Sequence, residues 1–289
     1  MKVSMDYYTF LSRDRWDVWW FLRECDALCV DGVHIPDCDV TYPHELFTAN
    51  RPRDAWKYTP LPEYTVRKIR AFCEERRWEK VLSGWGGPYA SERAADCLYL
   101  TTANLETAAL LGAKVMRIVP DGYRDDPRRF KIEWAVRNLA KAAELAASYD
   151  VVLGLETHAV IPSASDILEI IDRVNSDHLG VTLDTGNLLA ASDDDSTRPF
   201  LEAIEALAPH IVATHMRDVT YDRGARAWRC VPCGAGVVDF KAIAQILKDV
   251  DYSGTLALEY IDNNQHRAKD DLDAIKPVLR SCVEYLRQL

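Results

Sequence analysis

Eight times along 289 residues a short apolar run gives way to a stretch with helical spacing. The runs fall at 2–5, 31–35, 80–84, 114–119, 151–156, 179–184, 211–215 and 255–259. The helical stretches fall at 14–28, 63–77, 91–111, 127–148, 164–174, 197–207, 240–250 and 271–287. Within the runs, apolar side chains occupy consecutive positions, so each strand buries both faces, as in a parallel sheet covered by helices. Eight such units in series predict an α/β protein, a (β/α)8 TIM barrel that uses residues 1–289 as a single domain. A doubly wound sheet is the runner-up. It would carry a glycine-rich phosphate loop after the first strand, whereas here the chain continues Tyr7-Tyr8-Thr9-Phe10.

Local signals refine the picture. Trp16, Trp19 and Trp20 have spacings that fit one face of the first helix. Ser91 is placed to cap the third helix and Gly112 to end it. The polar stretch 44–62, with Pro52, Pro60 and Pro62, is too irregular for an ordinary connector and is a candidate active-site loop. Asp193–Asp194–Asp195 reads as a solvated loop. Eight cysteines include one CxxC, Cys230 to Cys233. A zinc ribbon needs two such pairs, so reduced thiols in a cytosolic protein are the simpler reading, with a redox or metal role for Cys230 and Cys233 the minority one.

A formal net charge of −10 repels phosphate backbones and anionic lipid, which argues against nucleic acid as a partner. The start MKVSMDYYTF lacks the apolar region of a secretory signal, and no segment approaches the roughly 20 apolar residues that span a bilayer. The expected location is the cytoplasm, with no membrane partner.

The last four runs share an ending. VLGLE stops at Glu156, GVTLD at Asp184, IVATH at His215 and TLALE at Glu259. A single strand-end carboxylate is more often a cap or an ion-pair partner than a ligand. Four successive strands that all stop on a cation-binding group are different. In a barrel the C-terminal strand ends surround one mouth, with neighbouring strands about 4.8 Å apart. Three carboxylates crowded there beside an imidazole repel one another unless a cation joins them. Three oxygen donors and one nitrogen suit one divalent ion, Mn²⁺ first, with Mg²⁺ and Co²⁺ as alternatives and Zn²⁺ less suited to hard oxygens.

The segments GLETH, GVTLDTGN, THMRDV, CGAGVVDF and YSGTLALEY resemble the sugar phosphate isomerase/epimerase family, the xylose-isomerase-like barrels, in the family's order across the C-terminal half. The resemblance implies metal ligands at Glu156, Asp184, His215 and Glu259, with the two glutamates doubling as acid/base groups. Ketose 3-epimerases carry a His where this chain has Asn187, and an Arg where it has Tyr221. Family members often have a Glu at the end of strand two, where this chain has His34. The Glu-x-His of Glu156 and His158 resembles the large subunit of C-glycoside deglycosidases, which act on 3-oxo-glycosides.

The expected activity is metal-dependent proton removal next to the carbonyl of a keto-sugar or related polyol, through an enediolate, by a sugar isomerase or epimerase. Glu156, Glu259 and His158 are the catalytic candidates. Asn187, Arg217, Trp85 and His34 are the substrate-binding candidates, with a carbohydrate as the small-molecule substrate. A lyase on the same scaffold, a deglycosidase or an inosose-type dehydratase, is the alternative. An endonuclease-IV-like enzyme would need more histidines than the seven present and a basic face; a non-catalytic sugar-binding barrel is the remaining class. A homo-oligomer, or a hetero-oligomer with a small subunit, fits the deglycosidase resemblance.

Overall fold

The computed structural model describes residues 1–10, 17–37, 61–84, 87–92, 94–120, 122, 126–158, 160–161, 163–190, 197–261 and 269–289. Eight parallel strands form one sheet: β1 (Val3–Asp6), β2 (Gly32–Pro36), β3 (Glu79–Ser83), β4 (Val115–Ile118), β5 (Val152–Glu156), β6 (Leu179–Asp184), β7 (Ile211–His215) and β10 (Leu256–Leu258). From β1 to β7 each pairs with the next, and β1 also pairs with β10. The two edges, β7 and β10, meet through a parallel bridge between Met216 and Leu258. There Met216 N–H donates to Ala257 O at 2.7 Å, which closes the barrel. Strands that lie in the barrel wall face side chains inside and helices outside, so most of their residues are buried and none is exposed.

The helices are α1 (Val18–Ala27), α2 (Glu63–Glu75), α3 (Ala94–Leu111), α4 (Arg128–Ser148), α5 (Ala164–Val174), α6 (Thr185–Ala190), α7 (Thr197–Leu207), α8 (Phe240–Asp249) and α9 (Lys269–Arg287). Their inner stripes follow helical spacing. Helix α5 buries Ile167, Ile170 and Ile171, and Ser163 Oγ caps it by accepting from Asp166 N–H at 3.1 Å. Helix α8 buries Phe240, Ile243, Ala244 and Leu247 behind an Asp239 cap.

Five helices return to the sheet by the same turn. A residue in the left-handed region follows the helix: Cys29, Arg77, Gly112, Asp150 and Asp251. The next N–H reaches back five residues, Val30 to Cys25, Trp78 to Cys73, Ala113 to Ala108, Val151 to Ala146 and Tyr252 to Leu247. These bonds satisfy the last helical carbonyls. Only Gly112 shows this ending in the sequence, because the other four side chains adopt a conformation that glycine adopts most easily.

Two expectations change, the buried face of α1 and the connection after β7. The buried face of α1 is Val18, Phe21, Leu22 and Cys25, while Trp19 and Trp20 sit at its half-buried margin and Trp16 lies outside the described residues. The Ser91 hydroxyl donates to Pro88 O at 2.7 Å, and residue 93, just before α3, lies outside the described residues. An antiparallel hairpin absent from the sequence reading, β8 (Asp218–Asp222) with β9 (Ala227–Val231), follows β7. Nearly all of the candidate loop at 44–62 lies outside the described residues. Among the described residues no helix is long and apolar enough to cross a membrane.

Candidate metal centre

The last residues of β5, β6 and β7, and the residue after β10, converge at the C-terminal mouth. Glu156, Asp184, His215 and Glu259 each bring a ligand atom within 4.8 Å of the others. All four are at most 5% exposed. Threonines next to them staple the strand ends. Asp184 N–H donates to Thr157 Oγ1 at 3.0 Å, and that hydroxyl donates to Asp184 O at 3.1 Å. Thr185 repeats the exchange with the backbone of Arg217 at 2.9 and 2.8 Å. The Thr of GLETH and the Thr of LDTGN therefore hold the register in which the four groups meet.

The cluster is charge-balanced in part by two half-buried arginines. Arg117, from the middle of β4, donates from Nη2 to Glu156 Oε2 at 2.6 Å and from Nη1 to Gly84 O at 3.3 Å. Arg217 donates to both oxygens of Asp184 at 2.9 and 2.8 Å. Its guanidinium lies across Gly186, where a Cβ would come within 2.5 Å of Nε. Asn187 donates from its backbone and its amide to Asp184 at 2.8 and 2.9 Å, and its amide oxygen accepts from Arg217.

His215 Nδ1 faces the carboxylates. It lies 2.9 Å from Glu156 Oε1 and 2.9 Å from Glu259 Oε2. One N–H serves one acceptor, and the aligned hydrogen bond goes to Glu156. Glu259 Oε2 is left buried at ion-pair distance with no hydrogen bond.

Protonation follows these contacts. Burial opposes the Glu156 carboxylate, but Arg117 and His215 overcome it and hold its pKa well below the usual range. Asp184 is pushed up to about 7 by burial, with Arg217 opposing and the neighbouring Glu259 and Glu156 adding to the rise. Burial disfavours the charged form of His215, yet Glu259, Asp6 and the hydrogen bond to Glu156 raise its pKa well above the ordinary value. His158 is lowered, chiefly by burial.

One cavity opens onto this cluster, and six of its lining residues carry a buried polar atom without a hydrogen-bond partner: Asp6 Oδ2, Ser83 Oγ, Arg117 Nε, His158 Nδ1, Arg217 Nε and Glu259 Oε2. Native proteins leave few such atoms unpaired, and several around one cavity mark a place where a ligand completes the bonding. A divalent ion fits this donor set. Three carboxylates and one imidazole nitrogen offer hard ligands within coordinating reach, and the orphaned Glu259 oxygen is one of them.

The structure brings Glu156, His158, Asp184, Asn187, Arg217 and Glu259 to the cavity wall. Arg217 Nη2 and the two N–H donors of Asn187 bond Asp184, while Arg217 Nε stays unpartnered at the cavity. His34 does not line the cavity; it lies behind His215, its Nδ1 3.1 Å from His215 Nε2. Trp85 lies outside the described residues. Sequence reasoning missed Asp6, Tyr8, Ser83 and Arg117. Asp6 repeats the strand-end pattern, in the run VSMD. Arg117 left no comparable mark, since a lone cation within VMRI reads as an outward side chain until the barrel closes.

Fold and site together define a barrel with a polar cavity at its C-terminal mouth, lined by residues that could hold a metal ion, the place where barrel enzymes carry their active sites. The chain belongs to the xylose isomerase-like TIM barrel family, whose profile matches residues 44–280. It is similar to the L-ribulose-5-phosphate 3-epimerase UlaE of Escherichia coli (strain K12), with 29% identity over 251 residues, 86% of this chain and 72% of that protein. It is also similar to the 3-oxo-isoapionate decarboxylase of Pectobacterium atrosepticum, with 32% identity over 104 residues. That match covers 35% of this chain and only 36% of the decarboxylase. A solved structure of an IolI protein with a bound zinc atom superposes with a TM-score of 0.74 at 16% identity, covering 99% of each chain, a likeness of fold.

Proposed function

We propose that this protein is a divalent-metal-dependent enzyme of the sugar isomerase/epimerase type, which takes a proton from carbon next to the carbonyl of a keto-sugar or related polyol. The observation that carries the reading is the set of four ligand-bearing residues within 4.8 Å at a cavity ringed by unpartnered polar atoms. Glu156, Asp184, His215 and Glu259 would hold the ion, with Mn²⁺ the first candidate. When bound, it supplies Lewis-acid charge beside the substrate carbonyl, which offsets the negative charge that grows as the proton leaves.

The chain's own groups divide the remaining work. Both oxygens of Glu156 are engaged, one by His215 and one by Arg117, so Glu156 is the poorer proton acceptor. Glu259, whose Oε2 has no hydrogen bond, serves as the base through the carboxylate oxygen that does not hold the ion, and takes the C–H proton. His158 Nδ1, buried and without a partner, faces the same cavity and moves a proton to or from the adjacent hydroxyl or the opposite face of the carbon. Arg217 and Asn187 act by fixing the Asp184 carboxylate. The relation to UlaE, named as an epimerase, supports return of the proton to carbon. A lyase outcome is the second reading, favoured by the relation to a decarboxylase and by His158 beside the cavity.

The test is incubation of the Mn²⁺-loaded protein with ketoses, inososes and 3-oxo-glycosides in D₂O, following deuterium in recovered substrate and in product. Deuterium uptake with at least one class, lost in Glu259→Gln, is expected. Stoichiometric metal with no exchange on any of them would leave a sugar-binding barrel in place of an enzyme. No cleavage of abasic duplex DNA is expected.

A further inference from the structure

His215 is held from both sides, and the side away from the carboxylates is the less usual one. Its Nε2 lies 3.1 Å from His34 Nδ1 and 3.5 Å from Asp6 Oδ2. His34 and Asp6 are register partners on β1 and β2, and both are 1% exposed. The backbone N–H of Tyr8 donates to Asp6 Oδ1 at 2.8 Å, which fixes that carboxylate and leaves Oδ2 turned toward the two rings. Asp6 Oδ2 is 3.8 Å from His34 Nδ1 and makes no hydrogen bond of its own.

A neutral imidazole carries one proton on two nitrogens. In the ion-free site the Nδ1–H donates to Glu156; to offer an ion the Nδ1 lone pair, His215 must give up that proton and keep one on Nε2. A buried N–H needs an acceptor, and the nearest atom is His34 Nδ1. Were His34 instead to carry its own proton on Nδ1, two N–H groups would face each other at 3.1 Å, and His215 would be driven to the wrong tautomer. The choice of tautomer on one ring therefore sets the other.

We propose that His34 is a positioning residue for His215: its Nδ1 accepts the Nε2–H proton of His215, with Asp6 as the supporting carboxylate, so that the Nδ1 proton shared with Glu156 in the ion-free site is the one given up when an ion binds. The inference rests on the metal reading above. His34 itself touches neither the ion nor the substrate in this role.

The experiment uses the full chain, with Mn²⁺ and Zn²⁺ as probes. Metal stoichiometry and affinity are measured for the wild type, His34→Ala and His34→Gln, whose amide oxygen can also accept the Nε2–H proton. In parallel, ¹H–¹⁵N spectra follow the His215 Nε2–H proton, in metal-free and Zn²⁺-loaded protein. Wild type and His34→Gln should show a slowly exchanging, downfield Nε2–H signal, and His34→Ala should lose it. His34→Ala should still saturate with one ion but bind it about 10- to 100-fold more weakly, and His34→Gln should recover most of that loss.

Unchanged affinity in His34→Ala, or an Nε2–H signal that persists there, would overturn the proposal. So would a fall from two ions to one at saturation, which would make His34 a ligand. If the wild type binds no ion, the metal reading fails, while the Nε2–H signal of the metal-free protein still decides this one. Should His34→Ala not fold, absence of the signal in the wild type would by itself refute the assignment, and its presence with loss in His34→Phe would support it.

Discussion

The sharpest consequence of the charge arrangement concerns Arg117. Its side chain is 12% exposed and pairs at 2.6 Å with Glu156, which is 1% exposed. Arg117→Met keeps an unbranched stem in the barrel but removes the guanidinium, leaving a buried carboxylate short of its main counter-charge. Breaking a buried pair in this way costs about 3–5 kcal/mol. Unfolding entropy of roughly 2.1 cal/mol/K per residue gives about 0.6 kcal/mol/K for a chain of this length. The metal-free variant should therefore melt about 5–8 °C below the wild type. A divalent ion on the same carboxylate replaces the lost charge. In saturating Mn²⁺ the deficit should shrink to about 2–3 °C, the residue being the lost bond to Gly84 O and lost packing. Scanning calorimetry of both proteins, chelated and Mn²⁺-loaded, reads the four melting points. An equal deficit with and without the ion would show that Arg117 and the ion do not act on one carboxylate, and the site as drawn would be wrong.

Two further predictions follow from single contacts. His158→Ala should retain the metal while turnover falls about 10²- to 10⁴-fold; an unchanged rate would restrict His158 to packing. Asp218 accepts backbone N–H groups from Val219 and Val238 on Oδ1 and from Gly234 and Gly236 on Oδ2, which ties the CGAGVV loop to the hairpin after β7. Asp218→Ala should cost about 3–5 kcal/mol in denaturant titrations, with Asp218→Asn between the two; a loss under about 1 kcal/mol would mean that the loop holds without it.

Much of the site was legible because its signal is local. A strand that buries both faces is a continuous apolar run, and a run that stops on Glu156, Asp184, His215 or Glu259 marks both where the wall ends and what stands there. The helices with clean stripes, α5 and α7, keep the bounds read from the sequence, because apolar spacing is a one-dimensional property. The left-handed helix endings at Cys29, Arg77, Asp150 and Asp251 were not legible, since their stabilisation is in backbone bonds and in packing of the returning strand.

The amino-acid order by itself determined the barrel class and the four groups at its last strand ends, for burial and helical period act between near neighbours in the chain. Tertiary structure alone decided that Arg117 points inward to Glu156, that Arg217 serves Asp184, and that His34 stands behind His215, 181 residues away. Those partners are set by strand register and barrel closure, which bring distant residues into hydrogen-bond range in a buried site where an unmatched charge or proton costs the most.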